Sequence, residues 1–207
     1  MPQSACAADD LIPRIKEILT HRAIKRVSAE SGIKAHSSPL VRAGVLLPLF
    51  CKDRSYHILF TKRTDRVKHH KGEISFPGGN YDAADENIVA TALREAHEEV
   101  GLKPQDVQLL GGLDEVMTMT GFVVSPLVGF IPYPYPFVPS PEEIAEIIIL
   151  PLTGFLKEGV LSEEDWQYGD KTARVYTYHC GRHVIWGATA RILRQFLDLI
   201  PKGGIRG

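Results

Sequence analysis

Apolar residues fall at positions 89, 92, 93, 96 and 100, the i, i+3, i+4, i+7, i+11 recurrence of a helix that hides one side. Its C-terminal end is marked as well. Gly101 follows the last apolar residue, where a left-handed cap suits glycine, and Pro104 blocks continuation. The same helix carries Glu95, Glu98 and Glu99 near that end. At about 3.6 residues per turn, these acids form one cluster away from the apolar stripe. The placement is unfavourable. Glu95 and Glu99 are a like-charged i,i+4 pair, which destabilises a helix by roughly 0.2–0.5 kcal/mol. All three also stand at the negative end of the helix dipole. Locally only Arg94, four residues before Glu98, offers opposite charge. A solvated acidic face is one explanation. A divalent cation is the other, because carboxylate oxygens are the hard ligands that Mg²⁺ or Mn²⁺ prefers.

Strand-like runs flank this helix. "VRAGVLLPLF" and "HILFTKR" are joined by the polar "CKDRS", as in a hairpin. Further strands are expected at "VQLLGG", "FVVSPLVGFI", "EIIILPL" and "RVYTYHC", and the "RHVIWG" segment leads into a closing helix over residues 188–200. Near the start, Leu11, Ile12, Ile15, Ile18 and Leu19 share one side of a helix over residues 9–23. Asp9 or Asp10 is its expected cap, with Pro13 tolerated in the first turn. Residues 28–39 read as a linker, and residues 132–141, rich in proline, as a loop at the domain edge. The expectation is an α+β domain over residues 39–207, with residues 1–38 forming a helix and linker that pack on it. Trp186, Phe122 and Phe130 are expected in the core.

Composition narrows the functional classes. At 207 residues the chain suits one domain with a sizeable core. A formal net charge of −1 argues against a general nucleic-acid binder. No apolar run approaches a membrane span and the first residues lack a basic, then apolar, leader pattern. Cys6, Cys51 and Cys180 are odd in number and scattered. They suggest neither a disulfide framework nor a zinc motif and fit a reducing compartment. A cytoplasmic protein, monomer or homodimer, without nucleic-acid or membrane partner is expected.

"REAHEEVGL", with "FPGG" at residues 76–79 upstream, resembles the Nudix box: a glycine loop followed by a helix of the form R-E-apolar-x-E-E-x-G-apolar. The upstream run "TKRTDRVKHHKGEISFPGG" (residues 61–79) is similar to an additional motif of the coenzyme A pyrophosphatase branch of that family. "SPLVGF", "PEEIAEIIILPL" and "IWGATARIL" extend the likeness over about residues 40–195. In one place the spacing departs from the general box. Counting from Gly79 makes Asp85 the acid that pairs with Arg94, whereas counting back from Arg94 makes it Glu86. A one-residue insertion accounts for both, and the branch's D-x-x-D pattern, met by Asp82 and Asp85, favours Asp85.

The resemblance implies an α/β/α sandwich with a mixed β-sheet and metal-dependent hydrolysis of a diphosphate. It implies Mg²⁺ or Mn²⁺ held by Glu95, Glu98, Glu99 and the backbone carbonyl of Gly79. Gly78 and Gly79 let the main chain approach metal and substrate. Arg94 orients the loop or Glu98, or is a simple surface pair. Glu95, or an acid from the distant turn of Glu142, Glu143 and Glu146, is the expected general base, with Glu143 preferred. The cationic stretch 62–71 is either a solvated surface or a site for the 3′-phosphate of coenzyme A, with Arg63 and Lys68 as its contacts. His69 and His70 read as surface residues. The leading expectation is therefore a coenzyme A pyrophosphatase giving 3′,5′-ADP and 4′-phosphopantetheine. A Nudix hydrolase of ADP-ribose or a dinucleotide is the enzymatic alternative, and a non-catalytic nucleotide-binding regulator the other.

Overall fold

The computed structural model describes residue 6 and residues 10–27, 40–65, 71–168 and 171–200. The expected linker, Lys68, His69 and His70 lie outside the described residues. In chain order the elements are α1 (Leu11–His21), β1 (Val41–Lys52), β2 (Ser55–Arg63), β3 (Ile74–Ser75), β4 (Gly78–Asn80), α2 (Ile88–Val100) and β5 (Gln108–Gly112). There follow β6 (Val116–Met117), β7 (Phe122–Phe130), β8 (Ile144–Pro151), β9 (Leu161–Tyr168), β10 (Lys171–Cys180), β11 (His183–Trp186) and α3 (Gly187–Leu199).

The first hairpin forms as its sequence suggests. Asp53 and Arg54 make its turn with φ of 49° and 62°, the left-handed pair that a two-residue hairpin loop requires. β1 pairs in parallel with β7 from Val41–Phe122 to Leu49–Phe130, while β2, β8 and β5 add antiparallel partners. The result is a mixed sheet of order β3-β2-β1-β7-β5, with β8 on β2, β4 on β1 and β6 on β7.

Strand alternation then divides the core in two. On β1, Ala43, Val45, Leu47 and Leu49 face Leu11, Ile15 and Leu19 of α1 and Leu193 and Phe196 of α3. Leu46 and Phe50 point the other way, onto Ala92, Ala96 and Val100 of α2. The sheet is thus covered on both faces, as a sheet with two apolar faces requires. Among the described residues no helix is long and apolar enough to cross a membrane.

Several expectations need correction. Cys6 and Cys51 are joined in a disulfide, their Cα atoms 5.8 Å apart, since residue 6 lies beside the end of β1, a proximity that sequence spacing does not report; Cys180 is free. Asp10 occupies the N-cap of α1 but its side chain makes no capping bond. Trp186 is not core: it lies 48% exposed on β11, where Ile185 takes the inward position. The β9–β10–β11 sheet also contains a strand that the sequence hid, since "LSEEDWQY" is too polar to show apolar alternation. Cross-strand pairing of Arg174 with Asp165 (2.9 Å) supports it.

Candidate active site

The site is built around α2. Asn87 caps its start, with Oδ1 accepting from the N–H groups of Val89 (2.9 Å) and Ala90 (3.1 Å). At its end Gly101 adopts the left-handed conformation, φ 71°. The proline-rich loop supplies the remaining donors: Val138 N–H donates to the Val100 carbonyl (3.0 Å) and Ser140 N–H to that of Glu99 (2.9 Å). The helix lies close on β1 because Gly44 has no side chain. A Cβ there would fall 2.7 Å from the Ile88 carbonyl oxygen. Gly44 is in turn the register partner of Gly79, which brings the glycine loop under the helix.

Arg94 gathers one half of the acids. Its Nε and Nη2 donate to Oδ1 and Oδ2 of Asp85 at 2.9 and 3.0 Å, a bidentate pair. Asp85 also accepts from Thr91 Oγ1 (2.8 Å) and the Asp82 N–H (3.1 Å). The guanidinium holds the Asp85 carboxyl well below the usual carboxylate range. Asp85 is thus the partner of Arg94; Glu86, the other residue reached by counting, is exposed. The Nη1 of Arg94 donates to both Glu95 Oε1 (3.0 Å) and Glu98 Oε2 (2.9 Å).

Arg63 gathers the other half. Its guanidinium turns inward, with Nη1 donating to Glu99 Oε1 (3.1 Å) and Nη2 to Glu143 Oε2 (3.4 Å). The physical reason is its position on β2, whose odd-numbered residues face α2. Glu99 is 2% exposed and not part of a solvated cluster. Its Oε2 also accepts from the Gly78 N–H at 3.3 Å. Burial pushes its carboxyl up to about 8, against the pull of Arg63 and Gly78. Burial also raises Glu95, against Arg94. Glu143 brings a further negative charge that both sense.

The sequence-predicted site residues are distributed accordingly. Glu95, Glu98, Glu99, Arg94, Gly78, Gly79, Arg63 and Glu143 are brought together at one edge of α2. Glu142 contributes its backbone carbonyl to Thr64 Oγ1 (2.8 Å), and Glu146 pairs with Arg182 away from the acids. The sequence missed the inward turn of Arg63 and the loop donors Val138 and Ser140. Both join residues far apart in sequence, which periodicity does not report.

Among the described residues no three acids stand ready as an ion site in their present rotamers. The donor set nevertheless fits a hard divalent cation. Glu95 and Glu98 both accept from Arg94 Nη1, which keeps their carboxylates side by side. A Cβ on Gly79 would overlap the Glu95 carboxylate, so the bare backbone there leaves the approach open. Burial disfavours the ionised forms of Glu95 and Glu99, and the neighbouring acids add to it, against the two arginines.

Comparison with known proteins gives the family. A model of the NUDIX domain matches residues 40–167. The chain belongs to the Nudix family. The Nudix hydrolase NudL of Photorhabdus laumondii is 40% identical over 158 residues, covering 76% of this chain and 84% of that protein. NudL of Enterobacter sp. strain 638 is 38% identical over 154 residues, covering 74% and 80%. The crystal structure of the M. smegmatis Nudix hydrolase RenU shares 20% identity, with a TM-score of 0.47 over 57% of this chain and 75% of that one. The protein is therefore a Nudix pyrophosphohydrolase, of a family that generally uses divalent metals such as Mg²⁺ or Mn²⁺.

Proposed function

We propose that this Nudix hydrolase cleaves the diphosphate of coenzyme A or its thioesters, releasing 3′,5′-ADP and (acyl-)4′-phosphopantetheine with Mg²⁺ or Mn²⁺ as cofactor. The observation that carries this reading is the position of the run 61–79, which resembles the coenzyme A branch. Its two ends meet at the acids: Thr61 pairs with Ser75, Lys62 with Ile74, and the Gly78 N–H touches Glu99. In the sequence, Arg66, Lys68 and Lys71 fall between these two ends. Coenzyme A has a 3′-phosphate besides its diphosphate, and lysine and arginine are the natural partners of such a group.

Glu95, Glu98, Glu99 and the Gly79 carbonyl would hold the ion, which when bound supplies positive charge against the diphosphate and acidifies water. The chain's own residues do the rest. Arg94 keeps Glu95 and Glu98 oriented. Glu143, more exposed than Glu99, accepts the proton of the attacking water at its carboxylate as the new P–O bond forms and the bridging P–O bond breaks.

A panel of coenzyme A, dephospho-coenzyme A, ADP-ribose and a dinucleotide polyphosphate, with products identified by mass spectrometry, tests the substrate. Coenzyme A should give 3′,5′-ADP. One charge-assisted contact to the 3′-phosphate is worth roughly 10- to 150-fold in binding, so dephospho-coenzyme A should have the higher KM. Added salt should narrow that difference. Cleavage of ADP-ribose or the dinucleotide with coenzyme A untouched would reject the proposal.

A further inference from the structure

We infer that Arg63 is a positioning residue that bridges the Nudix helix to the distant loop acid, holding the Glu143 carboxylate against the Glu99 side of the site. The inference rests on the reading of Glu143 as the proton acceptor. It assigns Arg63 to the acids, not to the substrate.

The geometry is specific. The two terminal nitrogens of one guanidinium serve two carboxylates from different elements: Glu99 of α2 at 3.1 Å and Glu143, just before β8, at 3.4 Å. Arg63 is 23% exposed and Glu99 2%, so one arm of the bridge is anchored in the interior. Glu143, at 46%, is the arm that would otherwise swing in solvent.

The local backbone is shaped to make this bridge. Along β2 and β8 the register runs regularly to Lys62–Glu146, then shifts so that Arg63 lies opposite Ile144. Ala145 is the extra residue of this β-bulge, a device that bends a strand and re-aims side chains. Beyond the bulge, Thr64 N–H donates to the Glu143 carbonyl (2.8 Å) and Thr64 Oγ1 to that of Glu142 (2.8 Å). From the other side Ser140 N–H donates to the Glu99 carbonyl (2.9 Å), and Ile144 N–H to the Ser140 carbonyl (2.8 Å). The main chain around Glu143 is therefore fixed to both β2 and α2. Among the described residues, Arg63 is what fixes its side chain in turn. A lysine could not replace this arrangement, because an ammonium on a flexible stem lacks the planar fork.

The test is steady-state kinetics of Arg63→Gln on whichever diphosphate the substrate panel identifies, so the identity of the substrate does not enter. Groups that orient a catalytic residue typically contribute roughly 10- to 100-fold. The expected result is a fall of that size in kcat with KM within about two-fold of the parent. In a Glu143→Gln background the same substitution should cost several-fold less, because both changes remove one function. Arg63→Lys should recover only part of the loss. If Arg63→Gln does not fold, Arg63→Lys carries the same test, with an intermediate kcat and an unchanged KM expected. A crystal structure of the variant gives a readout independent of turnover: Glu143 should turn away while α2 stays in place. Losses that multiply independently of Glu143→Gln, a rise in KM confined to substrates with a 3′-phosphate, or an unmoved Glu143 would each overturn the proposal. The first and third leave the hydrolase reading intact, and the second would return Arg63 to the substrate.

Discussion

At the scale of single residues, the site is a set of carboxylates shared between two guanidinium groups. Arg94 serves Asp85, Glu95 and Glu98, and Arg63 serves Glu99 and Glu143. The bidentate Asp85–Arg94 pair keeps Arg94 aimed at the two α2 acids. Asp85→Asn should therefore lower turnover by roughly 10- to 100-fold, the usual cost of losing an orienting partner. Glu86→Gln should leave it within about two-fold, since Glu86 is exposed. The pair also gives a pH signature. Arg94 depresses the folded pKa of Asp85, so its stabilising contribution is complete above the unfolded value of about 3.9 and disappears as pH falls. The Tm difference between parent and Asp85→Asn should accordingly be constant above about pH 5 and narrow below about pH 4. A difference that widens on acidification would contradict the assignment. Sequence periodicity placed the three glutamates together on α2, and branch spacing singled out Asp85. It could not reveal that Glu99 is interior, because its partner Arg63 lies 36 positions away and on a strand.

At the scale of elements, α2 works as a rigid mount because every part of its surroundings approaches closely. Asn87, Gly101 and the loop donors Val138 and Ser140 satisfy its ends, and Gly44 lets its first turn rest on β1. A methyl group at Gly44 would meet a backbone carbonyl, which cannot move aside as a side-chain tip can. Gly44→Ala should cost about 1–3 kcal/mol, read as a lowered urea midpoint at unchanged m-value. Turnover should fall as well, because Gly44 also registers Gly79 under Glu95. An unchanged midpoint would show that the helix does not depend on this contact. Elements with strong apolar periodicity were legible in advance: α1, α2, α3, β1, β2, β7 and β8 all stand where their patterns put them. β9 was not, for its strand character comes from pairing with β10 and not from burial of alternate residues. Trp186 misled for a similar reason, since only one of two neighbouring strand positions faces inward and Ile185 holds it.

At the scale of the whole molecule, the layers decide which side chains meet. The parallel β1–β7 pairing and the β1–β2 hairpin set the sheet, α2 covers one face, and α1 and α3 cover the other. Crossing from β2 to β8 carries Arg63 and Glu143 to the edge where α2 presents its acids. On the proposed reading those acids serve a divalent cation, which offsets their mutual repulsion and supports catalysis. The most direct test is the rate of diphosphate hydrolysis across a Mg²⁺ titration for the parent, Glu98→Gln and Glu99→Gln. Glu98→Gln should keep the parental circular dichroism, because neutralising an exposed glutamate relieves repulsion near the helix end, and Glu99→Gln should keep it because glutamine still accepts from Arg63 or the Gly78 N–H. Each should also lose on the order of 100-fold in turnover, given the several kcal/mol that a metal contributes to such chemistry. Parental rates in both variants over the whole titration would contradict the claim.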